Sequence, residues 1–117
     1  MKFHLKDKVS CVGIRPELTI GLMIASSVWD EFQIPGGLVV TSLTDGRGIH
    51  QDGSLHFVGL AADLRTNPYL EGGVPAPLLT RLVDRLRDEL GEEWDLIQER
   101  THLHIEFQIQ QRKEKDD

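Results

Sequence analysis

The sequence predicts an α+β domain, an antiparallel sheet with two main helices packed on one of its faces. Two stretches with helical apolar periodicity, residues 16–33 and 78–90, supply the helices. Short runs rich in β-branched and aromatic residues supply the strands, and they do not alternate regularly with the helices. The last two runs lie close enough in sequence to form a hairpin. A length of 117 residues fits one domain spanning 1–117, large enough to bury a core without disulfide staples.

Each element has its own local reason. Pro16 suits a first helical position, and Leu18, Leu22, Ala25 and Trp29 then recur on one face. Ile20, Ile24 and Val28 widen that stripe, which predicts a largely buried helix. Pro35, Gly36 and Gly37 break it, and residues 38–41 read as a short strand. Residues 44–53 are rich in Gly and Asp and read as a loop; residues 57–65 read as a second strand. After a Pro- and Gly-containing loop at 67–77 comes the clearest helix. There Leu78, Leu79, Leu82, Val83, Leu86 and Leu90 share one face, while Arg81, Asp84, Arg85, Arg87 and Asp88 look outward. Gly91 stops that helix. Strands at 95–98 and 101–110 complete the series.

Composition narrows the function classes. The net charge is −6, and Lys and Arg are scattered instead of forming the basic stripe of a nucleic-acid binder. The longest membrane-span candidate, residues 20–29, is short and contains Ser26 and Ser27. Residues 1–10 lack the apolar segment of a signal peptide, so cytoplasmic synthesis is expected. The single Cys11 cannot form an internal disulfide. The mixed-charge tail, 112–117, reads as solvated. No partner protein is evident.

The last strand carries the most chemical information. Alternation places Leu103, Ile105, Phe107 and Ile109 on an apolar face and His102, His104, Glu106 and Gln108 on the other. A His-x-His pair alone is ambiguous, because one wet face of an antiparallel sheet explains it equally. The segment 54–63 adds His56 at a loop-to-strand junction, and Asp63 on the same face as Gly59 and Ala61. Leu60, Ala62 and Leu64 should point to the core. The small residues Gly59 and Ala61 would leave open space above the sheet, as a substrate cleft needs. Taken alone, Asp63 reads as a surface carboxylate or a partner for Arg65. Taken together, His56, Asp63 and one histidine of the last strand make a catalytic zinc set, three protein ligands with a fourth position left open. Ca²⁺ or Mg²⁺ would want more oxygens and no imidazole.

The pattern Ser54-x-His56-x-x-Gly59-x-Ala61-x-Asp63, followed downstream by His102-x-His104, resembles the D-alanyl-D-alanine carboxypeptidase and hedgehog-like zinc peptidases, the LAS group. The spacing of seven from His56 to Asp63 matches. The run 39–48 falls where that family has a strand and a Ser-Gly-Tyr-Arg-like loop, and the similarity covers roughly 38–107. The resemblance implies a hedgehog/DD-peptidase-like zinc fold with His56, Asp63 and His104 as the Zn²⁺ ligands. It sets His102 beside the metal, and Arg47 against the substrate carbonyl or carboxylate. Ser54 would brace the loop or serve only as a turn residue, and Arg47 also reads as an ordinary loop arginine. Thr101 and Leu103 replace the glutamate and tryptophan of the carboxypeptidase branch, so His102, Glu99 and Glu106 stay open as general base. The Tyr of the Ser-Gly-Tyr-Arg loop is absent, with Thr44, Asp45 and Gly46 preceding Arg47. The implied activity is metal-assisted hydrolysis of peptidoglycan stem peptides by a short, phage-type single-domain enzyme. Such an enzyme would reach the wall through a holin, lysis or a virion. A catalytically silent zinc module and a metal-free interaction domain are the rival readings. His4 and His50 read as surface and loop histidines.

Overall fold

In a computed structural model of the chain, the described residues are 3–11, 13–43 and 60–108. Among them the elements run β1 (Phe3–Leu5), α1 (Pro16–Glu31), β2 (Leu38–Ser42), β3 (Ala61–Arg65), α2 (Ala76–Leu90), β4 (Trp94–Gln98) and β5 (His102–Phe107). The strands form one five-stranded sheet in the order β1-β2-β3-β5-β4. The fold is α+β, as expected, but the sheet is mixed.

The correction lies at β1. This three-residue strand was not expected, and it pairs parallel to β2, with His4 opposite Val39. Two consecutive parallel strands need a crossover connection, and α1 provides it. The other three pairings are antiparallel, including the expected β4–β5 hairpin. A β-bulge interrupts β2–β3: Val40 faces Leu64 and Ser42 faces Asp63, so Thr41 is the extra residue beside Asp63. The expected strand at 57–65 is seen from Ala61, and its earlier residues up to 59 lie outside the described ones.

One core holds the layers together. Leu18, Leu22, Ala25 and Trp29 of α1 cluster with Leu82, Val83, Leu86 and Leu90 of α2. The same cluster takes Leu38, Val40, Ala62, Leu64, Leu103 and Ile105, alternate positions of neighbouring strands. Alternation thus directs one sheet face at both helices and leaves Asp63, His102, His104 and Glu106 on the other. Gly21 lets α1 come close to the hairpin, since a Cβ there would overlap the ring of Trp94. That indole packs edge-on against Phe107 at 5.5 Å between ring centres. Arg85 of α2 donates to Glu31 of α1 at 3.0 and 3.2 Å and to Glu89 on its own helix, joining the helices at the surface.

Three details of the helices differ from expectation. The stripe of α1 is narrower than its apolar residues suggest, because Ile20 is 58% and Met23 44% exposed. That helix ends at Glu31 through a Schellman motif: Ile34 N–H donates to Trp29 O at 3.1 Å and Gln33 N–H to Asp30 O at 3.0 Å. Gln33 takes the left-handed conformation, φ 55°, so the helix stops before Pro35 is reached. α2 begins at Ala76 instead of Leu78, with Pro77 in its first turn, where a missing N–H costs nothing.

Candidate functional site

The polar face of the two strands β3 and β5 carries the candidate site. Register sets Asp63 directly opposite His104, Arg65 opposite His102, and Ala61 opposite Glu106. Directly opposed residues of an antiparallel pair share a face and approach closely, so two side chains distant in sequence meet without a special loop. His104 Nδ1 lies 2.9 Å from Asp63 Oδ1, and His104 Nε2 lies 2.6 Å from Glu106 Oε1. Gln108 Nε2 donates to the other carboxylate oxygen of Glu106 at 2.5 Å. His102 Nε2 stands 3.8 Å from Asp63 Oδ1, while its Nδ1 lies 3.4 Å from the hydroxyl of Thr101.

Asp63 is 9% exposed. A carboxylate so far from water is costly unless it is paired, and the hydrogen bond with His104 offsets that cost. Burial works against charge on His104, but the hydrogen bonds to Asp63 and Glu106 outweigh it and raise the imidazole pKa above its ordinary value. The backbone is pinned as well: the Thr41 hydroxyl, at the bulge, donates to Asp63 O at 3.4 Å.

Of the residues singled out in the sequence, the structure brings Asp63, His102 and His104 together. His56, Arg47, Ser54 and His50 lie outside the described residues. Glu99 sits on the β4–β5 turn with its side chain exposed and its amide donating to His102 O at 2.9 Å. Glu106, one of the three candidate bases, is instead hydrogen-bonded to His104. Arg65 donates to the carbonyl of Glu71 at 3.2 Å. His4 is exposed on β1, as expected. Ala61, expected with Gly59 to leave open space above the sheet, is completely buried, and Gly59 lies outside the described residues.

Among the described residues, no group of three or more His, Cys, Asp and Glu side chains is arranged to hold a metal ion. His104 lies between Asp63 and Glu106, so these three do not converge on one point. The Asp63–His104 pair offers an oxygen and a nitrogen of the types that bind zinc, but their separation is that of an ordinary hydrogen bond. Ligand atoms about 2.0–2.1 Å from a tetrahedral Zn²⁺ stand roughly 3.3 Å apart, and the facing oxygen and nitrogen are 2.9 Å apart. The third expected donor, His56, lies outside the described residues.

Sequence reasoning missed the part of Glu106 in this network. Its signal was the His104-x-Glu106-x-Gln108 alternation, which puts all three on one strand face. No family model, curated protein or solved structure matches the chain. None of its described helices is long and apolar enough to cross a membrane.

Proposed function

We propose that the chain is a zinc-dependent peptidase that hydrolyses peptide bonds of bacterial cell-wall peptidoglycan. It would act as a D-Ala-D-Ala carboxypeptidase or an endolysin-like endopeptidase of phage or prophage type. One observation carries the reading: Asp63 Oδ1 and His104 Nδ1 meet at 2.9 Å across adjacent strands. The resemblance makes those same residues ligands, together with His56. All three would hold Zn²⁺. Bound there, zinc would polarise the scissile carbonyl and lower the pKa of a water to about 7.

The protein's own groups do the remaining work in this scheme. His102 presents Nε2 to the site, 3.8 Å from Asp63 Oδ1, and is partly open to solvent. In this scheme it would serve as the group that moves a proton between water and the leaving amine. Glu99, at the turn beside His102, is the second candidate for that role. Arg47 would bind the substrate carbonyl or carboxylate. Buried Asp63 and its neighbours keep the ligand geometry rigid. The test is release of new amino or carboxyl groups from purified peptidoglycan. Activity should be lost on chelation and regained with added zinc. Zinc-loaded, folded protein that cleaves walls of no bacterial chemotype would overturn the catalytic reading.

A second reading, a zinc-binding module without catalysis, is favoured by one feature. Thr101 offers a hydroxyl to His102 Nδ1 at 3.4 Å where the resemblance expects a glutamate. The hydrolysis assay separates the two readings, since only the first predicts cleavage.

A further inference from the structure

The polar face of the sheet extends beyond the Asp63–His102–His104 group. Register lines up one residue from each of four strands: His4 lies opposite Val39, Val39 beside Arg65, and Arg65 opposite His102. A pocket of about 350 Å³ is lined by the first three of these, with Lys6, Asp7 and Glu71 among its other walls. It adjoins the candidate site through the Arg65–His102 pair. Its formal charges are two cations, Arg65 and Lys6, and two carboxylates, Asp7 and Glu71. Among the described residues, none of these four forms an ion pair with another side chain. Arg65 uses one N–H on the Glu71 carbonyl, at 3.2 Å, and a guanidinium has five.

Two positive and two negative groups around one pocket suit a ligand that carries both signs close together. A lone carboxylate would meet repulsion from Asp7 and Glu71, and a lone ammonium would meet it from Arg65 and Lys6. A planar guanidinium also matches a carboxylate through two parallel N–H bonds. We propose that this pocket is a subsite for a peptide side chain ending in a carboxylate and an ammonium group on one carbon. Arg65 and Lys6 take the carboxylate, and Asp7 and Glu71 take the ammonium. This rests on reading the chain as acting on stem peptides, and it names the kind of stem peptide accepted. A diaminopimelate side chain has that ending, whereas a lysine side chain ends in the ammonium alone. Arg65 is thus a specificity residue, set beside His102 by the register of β3 and β5.

The experiment is calorimetric titration of the full chain with two tripeptides, L-Ala-γ-D-Glu-meso-diaminopimelate and its L-Lys counterpart. The first should bind about 10–100-fold more tightly, the scale set by hydrogen bonds to a charged group. Arg65→Gln should remove most of that preference. Lys6→Gln should reduce it, and it serves as the check if the Arg65 variant does not fold. Arg81→Gln, an exposed charge change on α2 at the other side of the sheet, should leave both affinities unchanged. Equal affinity for the two peptides, binding of neither, or a preference that survives in both variants would overturn the subsite. Peptidoglycan hydrolysis without this preference would overturn the subsite and leave the peptidase reading standing. The preference without hydrolysis would do the reverse, so the two failures are distinguishable.

Discussion

His102 and His104 are two residues apart on one strand face, yet they hold different positions. His104 is the more enclosed and bridges Asp63 and Glu106. His102 is the more exposed and reaches Asp63 only at 3.8 Å. Their substitutions should therefore separate. His104→Ala should abolish zinc binding. His102→Ala should keep the metal, measured by elemental analysis, and lower peptide hydrolysis by about 10²–10⁴-fold. Loss of zinc in the His102 variant with retention in the His104 variant would reverse the assignment. The alternation of β5 made the shared face of these residues legible from the sequence alone. Which ring nitrogen faces which carboxylate was not legible, because that depends on β3 lying beside β5 in one register. His56 and Arg47, drawn from the same motif reasoning, lie outside the described residues.

The elements follow local rules where their signals are long. α2 was legible because its apolar positions repeat over the whole helix while charges occupy the rest. Leu86 is fully buried in mid-stripe, so Leu86→Ala should cost about 2–5 kcal/mol in chemical denaturation. Zinc stoichiometry should be unchanged in that variant, since the helix packs on the opposite sheet face from the site. The end of α1 offers a test in the other direction. Gln33 occupies a left-handed position that glycine adopts without strain. Gln33→Gly should thus stabilise the protein by up to about 1 kcal/mol, read as a raised denaturation midpoint. An unchanged or lower midpoint would mean that the side chain contributes more than its backbone strain costs. Elements with short signals were not legible. β1 has only three residues and pairs with a strand more than thirty residues away, so its existence is decided by tertiary pairing alone. The exposure of Ile20 and Met23 has the same origin: periodicity marks which residues are apolar, but the neighbouring elements decide how wide a face is covered.

At the scale of the molecule, the sheet divides the described residues into a helix-packed side and a polar side. Both helices and the core lie on one face; Asp63, His102, His104 and Glu106 lie on the other, on the adjacent strands β3 and β5. Neither strand carries the site alone, so a ligand shared between them should tie the sheet together. Zinc at about 100 times its dissociation constant should add roughly 2.7 kcal/mol of stability, seen as a higher Tm that chelation reverses. The same addition to His104→Ala should leave Tm where it was. The α+β class and the helix-covered face were legible in the sequence because both rest on repeating apolar patterns. The parallel edge was not, because it depends on how α1 carries the chain from β1 to β2.

The most direct measurement is the zinc content of wild-type protein purified without chelator. One zinc per chain, lost in His104→Ala and in Asp63→Ala, is the result expected if Asp63 and His104 face each other to share a metal. Sub-stoichiometric zinc that added metal cannot restore would contradict the metal centre and leave the Asp63–His104–Glu106 contacts as a structural hydrogen-bond network.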